Sequence, residues 1–156
     1  MVQILLLSGH HDRNAFDCGN SNLNGWLATT ANQHRKKGIS TTYVAVETTR
    51  SSAVFGFYSI SVAELRCDEV PDALKDKLPQ KIPVFRIGRL AVSVTHQKTG
   101  LGRLLLANAV SRLTRLASEV GGVGIVVDAK PNAVEFYRHE GFEQMADHPL
   151  NLFLPI

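Results

Sequence analysis

The segment RIGRLAVSVTHQKTGLGRLLL, residues 86–106, holds the pattern with the clearest chemical meaning. An apolar, strand-like run ends at Gln97-Lys98-Thr99-Gly100-Leu101-Gly102 and passes directly into a long stretch of helical periodicity. The first N–H groups of a helix have no internal acceptor and carry the positive end of its dipole. Glycines at that point let an anionic group approach the backbone, so strand, Gly-x-Gly and helix together form a phosphate cradle. Two commoner cradles do not fit. A Walker loop needs Gly-Lys-Ser/Thr, whereas Gly102 is followed by Arg103 and Leu104. The dinucleotide fingerprint needs a third glycine where Leu105 stands. Taken alone, Gly-x-Gly is more often the mark of a structural turn.

The elements that must position this loop read as follows. Val2 to Leu7 is an apolar strand. A helix capped by Asn20 or Ser21 carries Leu23, Trp26, Leu27 and Ala31 at helical spacing and stops at Gly38, with Gly25 unfavourable inside it. Thr41 to Glu47 and Ala53 to Val62, joined by TTRSS, predict a hairpin. A connector, Glu64 to Pro83, includes a short helix expected at Asp72 to Leu78. Val84 to Val94 is a long buried strand. Gly100 to Val120 is a helix with the stripe Leu101, Leu105, Ala109, Leu113 and Ala117, flanked by Leu104 and Leu116. Gly124 to Asp128 is a strand. PNAVEFYRHEG is a second helix, with Asn132 as cap, Glu135 closing a capping box and Gly141 as stop. Phe142 to Met145 and Leu150 to Leu154 are final strands. The order β, α, β, β, β, α, β, α, β, β predicts an α/β (α+β) fold with a mixed sheet and helices on both faces.

Composition bounds the function. The 156 residues carry 17 Lys and Arg against 14 Asp and Glu, a net charge of +3 that permits a polyanionic partner without demanding one. The length predicts a single domain over residues 1–156. No apolar run is long enough for a membrane span, and MVQILLLSGHHDR does not read as a signal peptide. Cys18 and Cys67 cannot build a disulfide framework, and the six histidines show no metal-ligand spacing, so no metal is expected. The expected setting is the cytoplasm, with reduced thiols.

The cradle does not stand alone. Q-x-x-G-x-G at Gln97 to Gly102 is followed by a strand and then by A-x-x-F-Y-x-x-x-G-F at Ala133 to Phe142. That combination, and the element order from end to end, resembles the GNAT acyltransferase superfamily. The segments FDCGNSNLNGWL, KKGISTTYVAV, VFGFYSIS, IPVFRIGRLAV and LNLFLPI further resemble the acetyltransferase toxins of bacterial type II toxin–antitoxin modules. Those enzymes acetylate the amino acid on charged tRNA and stop translation. The resemblance implies a sheet with a splayed strand pair and acetyl-CoA as co-substrate. It assigns Leu90, Ala91 and Val92 to the thioester and pantetheine, and Gln97, Lys98, Thr99, Gly100, Leu101, Gly102 and Arg103 to the diphosphate. It sets Asn132 and Phe136 beside the cofactor arm and gives Tyr137 the protonation of the departing thiolate. It also implies aminoacyl-tRNA as acceptor, a ribbon-helix-helix antitoxin as partner, and a homodimer.

The same residues have plainer readings. Phe136 pairs with Ala133 at i,i+3 and is expected in the core, which would turn Tyr137 toward the cofactor. Arg86 and Arg89 interrupt an apolar strand. Either one meets an acceptor phosphate or pairs with a carboxylate such as Asp128, and Arg89 lies nearer the cofactor edge. Arg35, Lys36 and Lys37 either complement a helix C-terminus or contact the tRNA backbone. The strand Val84 to Val94 holds no carboxylate to act as a base. An α-amine, with a pKa of about 7.7–8.0, is partly neutral without one, whereas a lysine at about 10.4 is not. A base acting through water could come from Glu64 or Asp128. Acetylation of a small amine or a protein N-terminus, and a non-catalytic module binding acyl-CoA or a partner, remain the alternatives.

Overall fold

The computed structural model describes residues 2–75 and 78–156. Its strands are β1 (Gln3–Leu6), β2 (Thr41–Val46), β3 (Gly56–Arg66), β4 (Lys81–Val92), β5 (Gly124–Asp128), β6 (Glu143–Gln144) and β7 (Asn151–Pro155). Its helices are α1 (Ser21–Thr29), α2 (Ala31–Lys36), α3 (Leu101–Val120) and α4 (Val134–His139). The seven strands hydrogen-bond in the order β1-β2-β3-β4-β5-β7-β6. β1/β2, β2/β3, β5/β7 and β6/β7 are antiparallel and β4/β5 is parallel, so the sheet is mixed as the element order predicts. The parallel register runs from Phe85 to Ile87, while β4 itself continues through Val92.

The chain forms two compact units. The first, Met1–Ser61 with Gly88–Val110, buries Leu7, Phe16, Trp26, Leu27, Ala31, Val44, Val46, Phe57 and Ala91 as one cluster. Trp26, Leu27 and Ala31 come from α1 and α2, so these helices are held by the apolar face they press on Val44, Val46 and Phe57. Each fully buried aliphatic or aromatic side chain contributes about 1.5–3 kcal/mol. Gly56 lets α3 approach: a Cβ there would stand 2.8 Å from Leu105 Cδ1 and 2.9 Å from the Ala91 carbonyl oxygen. The second unit, Val62–Ile87 with Ser111–Ile156, has its own core of Leu65, Val70, Ile82, Val84, Val126, Met145 and Phe153.

Several local expectations change. The first helix is two, α1 and α2, meeting at Thr30. The Thr29 hydroxyl bonds back to the Gly25 carbonyl at 2.7 Å, the kind of side-chain competition that disturbs a helix end. Asn20 caps α1 as expected, accepting from Asn22 and Leu23 N–H. The segment at Asp72 is a 3-10 turn, Asp72–Leu74, and the part of the expected helix at residues 76–77 lies outside the described residues. Pro131–Ala133 is also a 3-10 turn, and α4 starts only at Val134 without a side-chain cap. Asn132 therefore caps nothing, and Glu135 pairs with Arg138 at 2.9 Å instead of closing a capping box. On α3 the stripe is as read, except that Leu106 is buried and Leu104 is exposed.

Candidate active site

β4 ends at Val92, and the chain then leaves the sheet under control of other segments. Ser93 N–H donates to the Phe55 carbonyl and Val94 N–H to the Asp17 carbonyl, each at 2.8 Å. A 3-10 turn follows at Val94–His96. Lys98 (φ +63°) and Gly100 (φ +88°) then take left-handed conformations that swing the backbone into α3. A Cβ at Gly100 would meet nothing within 4 Å, so that side of the turn is open. The Leu104 N–H donates to the Gly100 carbonyl at 3.1 Å as the first bond of the helix, and the N–H groups of Leu101 and Gly102 precede it in the turn that opens α3. No acidic side chain stands in the first turn of α3. An anion meets backbone donors and a helix dipole here, and this geometry suits the diphosphate of a nucleotide-linked cofactor.

The loop's side chains hold the loop itself. Gln97 Nε2 donates to the Cys18 and Val92 carbonyls, both at 3.0 Å, so its amide nitrogen braces the protein. The Thr99 hydroxyl donates to the His96 carbonyl. The His96 ring stacks on Phe55 at 3.9 Å and shares hydrogen bonds with the Ser93 and Thr95 hydroxyls at 2.8 and 2.9 Å. Leu90 and Val92 are half-buried and Ala91 is buried, while Lys98 and Arg103 are exposed.

The basic residues divide by what they touch. Arg89, in the first unit, lays its guanidinium over the Trp26 ring at 4.3 Å, and partial burial pushes its pKa down. Arg35 donates to the Leu7 carbonyl at 3.0 Å, so one of its N–H groups anchors α2 to the end of β1. Lys36 and Lys37 are exposed beside it. Arg86, in the second unit, pairs with Asp128 at 2.7 Å, the carboxylate partner expected for an arginine in an apolar strand. Asp128 is thereby engaged as a partner, and Glu64 is exposed on β3. Cys18 and Cys67 are free thiols. Among the described residues no group of three or more His, Cys, Asp or Glu could hold a metal ion.

Tyr137 lies in the second unit and is more enclosed than the helical spacing suggests. It is 8% exposed and Phe136 is half-buried, the reverse of the expected assignment. The entry to α4 is a 3-10 turn at Pro131–Ala133 where one continuous helix was expected. The Tyr137 ring meets Phe136 and Phe142 edge-on at 5.1 and 5.6 Å. Burial pushes its phenol up to about 12. Such a phenol stays protonated at neutral pH, as a proton donor must. Asn132 is exposed beside this helix.

The family of the Acetyltransferase (GNAT) domain matches residues 60–151, a span that takes in β4, the cradle, α3 and Tyr137. The chain is a GNAT acetyltransferase. This acetyltransferase is 32% identical over 149 residues to the tRNA-acetylating toxin of Mycobacterium tuberculosis (strain ATCC 25618 / H37Rv), covering 95% of its own chain and 88% of that protein. It is also similar to AtaT complexed with acetyl-methionyl-tRNAfMet, at 29% identity and a TM-score of 0.90, covering 99% of this chain and 95% of that one. A tyrosine variant of AtaT bound to the C-terminus of the antitoxin AtaR and to acetyl-CoA is similar at 26% identity and a TM-score of 0.83, covering 99% and 92%.

Sequence reasoning missed some residues that the structure ties to the cofactor loop and to the basic side chains. Trp26 looks like core but carries Arg89. Asp17 and Asn24 look like polar loop and cap residues but organise the segment on which the cofactor loop rests. The available signal was FDCGNSNLN, whose run of short polar residues is denser than a simple helix cap needs.

Proposed function

We propose that this acetyltransferase transfers the acetyl group of acetyl-CoA to the α-amino group of aminoacyl-tRNA and thereby blocks translation. The observation that carries the reading is the near-full-length likeness to a protein named for acetylating tRNA, in a chain whose anion cradle is intact. Leu101, Gly102 and Arg103 N–H groups, with Lys98 and Arg103 side chains, hold the diphosphate. The backbone of Leu90, Ala91 and Val92 receives the pantetheine and polarises the thioester carbonyl, as preorganised N–H donors do. Asn132 and Phe136 border the cofactor arm. The acceptor amine attacks as the neutral base, which an α-amine supplies in part at pH 8. Tyr137 gives its proton to the leaving thiolate as the C–S bond breaks, and the proton lost by the acylated nitrogen returns through water to the phenolate. Arg89 and the exposed Arg35, Lys36 and Lys37 receive the tRNA backbone, while Arg86 stays paired with Asp128.

Residues 1–156 act in this reading as one catalytic domain, working as a homodimer in the cytoplasm and restrained by a ribbon-helix-helix antitoxin. No helix among the described residues is long and apolar enough to cross a membrane. The decisive experiment incubates the purified chain with acetyl-CoA and charged tRNA, uncharged tRNA, or an N-terminal peptide, and follows thiol release and acceptor mass. Acetylation confined to charged tRNA is expected. Acetylation of the peptide or a small amine, with charged tRNA untouched, moves the protein to the alternative acceptor class. Acetyl-CoA binding without transfer to any acceptor identifies a non-catalytic module.

A further inference from the structure

Phe16 to Asn24, the segment FDCGNSNLN, has no part in the chemistry above, yet the side chains of Asp17, Asn20 and Asn24 are all hydrogen-bonded within it. Asp17 Oδ1 accepts from the Gly19 N–H at 2.9 Å and from Asn24 Nδ2 at 3.0 Å. The Gly19 bond, followed by that of Asn24, holds the Asp17 carboxyl below its ordinary range. Asn24 Oδ1 accepts from the Cys18 N–H at 2.9 Å. Asn24 stands in the first turn of α1, which Asn20 caps. One side chain on a capped helix thus grips the backbone of Cys18 and the side chain of Asp17.

The carbonyls of those same two residues face the cofactor loop. Asp17 O accepts from the Val94 N–H at 2.8 Å, and Cys18 O accepts from Gln97 Nε2 at 3.0 Å. The second Gln97 bond returns to the Val92 carbonyl at 3.0 Å. The chain from the end of β4 to the Lys98–Gly102 turn is therefore moored to a loop far earlier in sequence, with Gln97 standing 79 positions after Cys18. The links are in series: Asn24 sets the loop, the loop's carbonyls set Val94 and Gln97, and Gln97 sets the entry to the turn.

We propose that Asn24 is a positioning residue for the acetyl-CoA cradle, acting through the Asp17–Gly19 loop and Gln97. The inference rests on the reading of Lys98–Gly102 as the diphosphate site. A cradle made of backbone N–H groups binds well only when they already converge, because ordering them at the moment of binding subtracts from affinity.

The test is calorimetric titration of the full chain with acetyl-CoA, alongside melting curves and steady-state acetylation of charged tRNA. Asn24→Ala and Gln97→Met each remove hydrogen bonds from the series, so each should raise the Kd for acetyl-CoA roughly five- to tenfold. The double variant should be no worse than the weaker-binding single, because both break one chain of contacts. At saturating acetyl-CoA, kcat of the Asn24 variant should change by less than about twofold, since the reacting groups are untouched. If Asn24→Ala does not fold, Asn24→Asp takes its place. It keeps the acceptor for Cys18 but sets a carboxylate against Asp17, and the same rise in Kd is expected. Unchanged Kd in the folded Asn24 variant, or a double variant that multiplies the two single effects, overturns the proposal. A wild type that binds acetyl-CoA but leaves charged tRNA unmodified removes the tRNA reading alone, and the Kd comparison still decides the role of Asn24. A wild type that does not bind acetyl-CoA removes the cradle and this proposal with it.

Discussion

Tyr137→Phe isolates one oxygen atom. The ring keeps its edge contacts with Phe136 and Phe142, and only the phenolic proton is lost. With the phenol pushed up to about 12, roughly one molecule in ten thousand is ionised at pH 8, so essentially every wild-type enzyme holds the proton it must donate. Loss of a general acid lowers transfer by about 10²–10⁴-fold. The assay is single-turnover thiol release at saturating acetyl-CoA from pH 6.5 to pH 10. The wild-type rate should climb through the amine pKa of about 7.7–8.0 and then stay level, because Tyr137 does not titrate in that window. The variant should keep acetyl-CoA affinity and melt no lower. The stability sign is also fixed. A phenol whose folded pKa exceeds its unfolded value of about 10 contributes stability that is complete below about pH 10 and lost as pH rises toward 12, on the order of 2–3 kcal/mol in all. Tyr137→Phe should lose less stability over that range. Transfer within threefold of wild type, or a wild-type rate falling before pH 10, would refute the assignment of Tyr137 as the acid.

Gly102→Glu should abolish measurable acetyl-CoA binding in calorimetry with little change in Tm, since it adds a negative charge beside the first N–H groups of the helix. Lys36→Glu with Lys37→Glu should raise the KM for charged tRNA more than it lowers kcat, and flatten the log–log salt dependence by about one unit per lost phosphate contact, while Arg89→Ala should lower kcat as well. Gly56→Ala should cost about 1–3 kcal/mol in denaturant unfolding and weaken acetyl-CoA binding, because its Cβ would meet Leu105 Cδ1 at 2.8 Å and the Ala91 carbonyl at 2.9 Å.

What the sequence made legible was local. Gly124 to Asp128 is a strand with the bounds that its apolar run predicts, and α3 starts one residue after the glycine that opens it. The cradle could be read because its parts, a strand end, two glycines and a helix start, are consecutive. The break at Thr30 and the 3-10 entry to α4 depend on side-chain competition and turn geometry that periodicity does not encode. The second of these accompanies the reversed burial of Phe136 and Tyr137. Gln97 shows the limit most plainly. Its place in the motif suggests a direct hand on the phosphates, whereas its amide is committed to carbonyls at positions 18 and 92. Contacts of that kind leave no trace in spacing, because one partner is backbone that any residue could supply.

The arginine laid on Trp26 has a use outside catalysis. Trp26 is the chain's single tryptophan, so the protein's near-ultraviolet emission at long excitation wavelengths comes from one identified ring. That ring is enclosed, its indole N–H is sealed without a hydrogen-bond partner, and a guanidinium lies 4.3 Å from its centre. Its colour and brightness are therefore tied to the position of one positive charge. Any polyanion that draws Arg89 away alters the field across the indole, and the chain reports that event optically without a dye, a label or turnover.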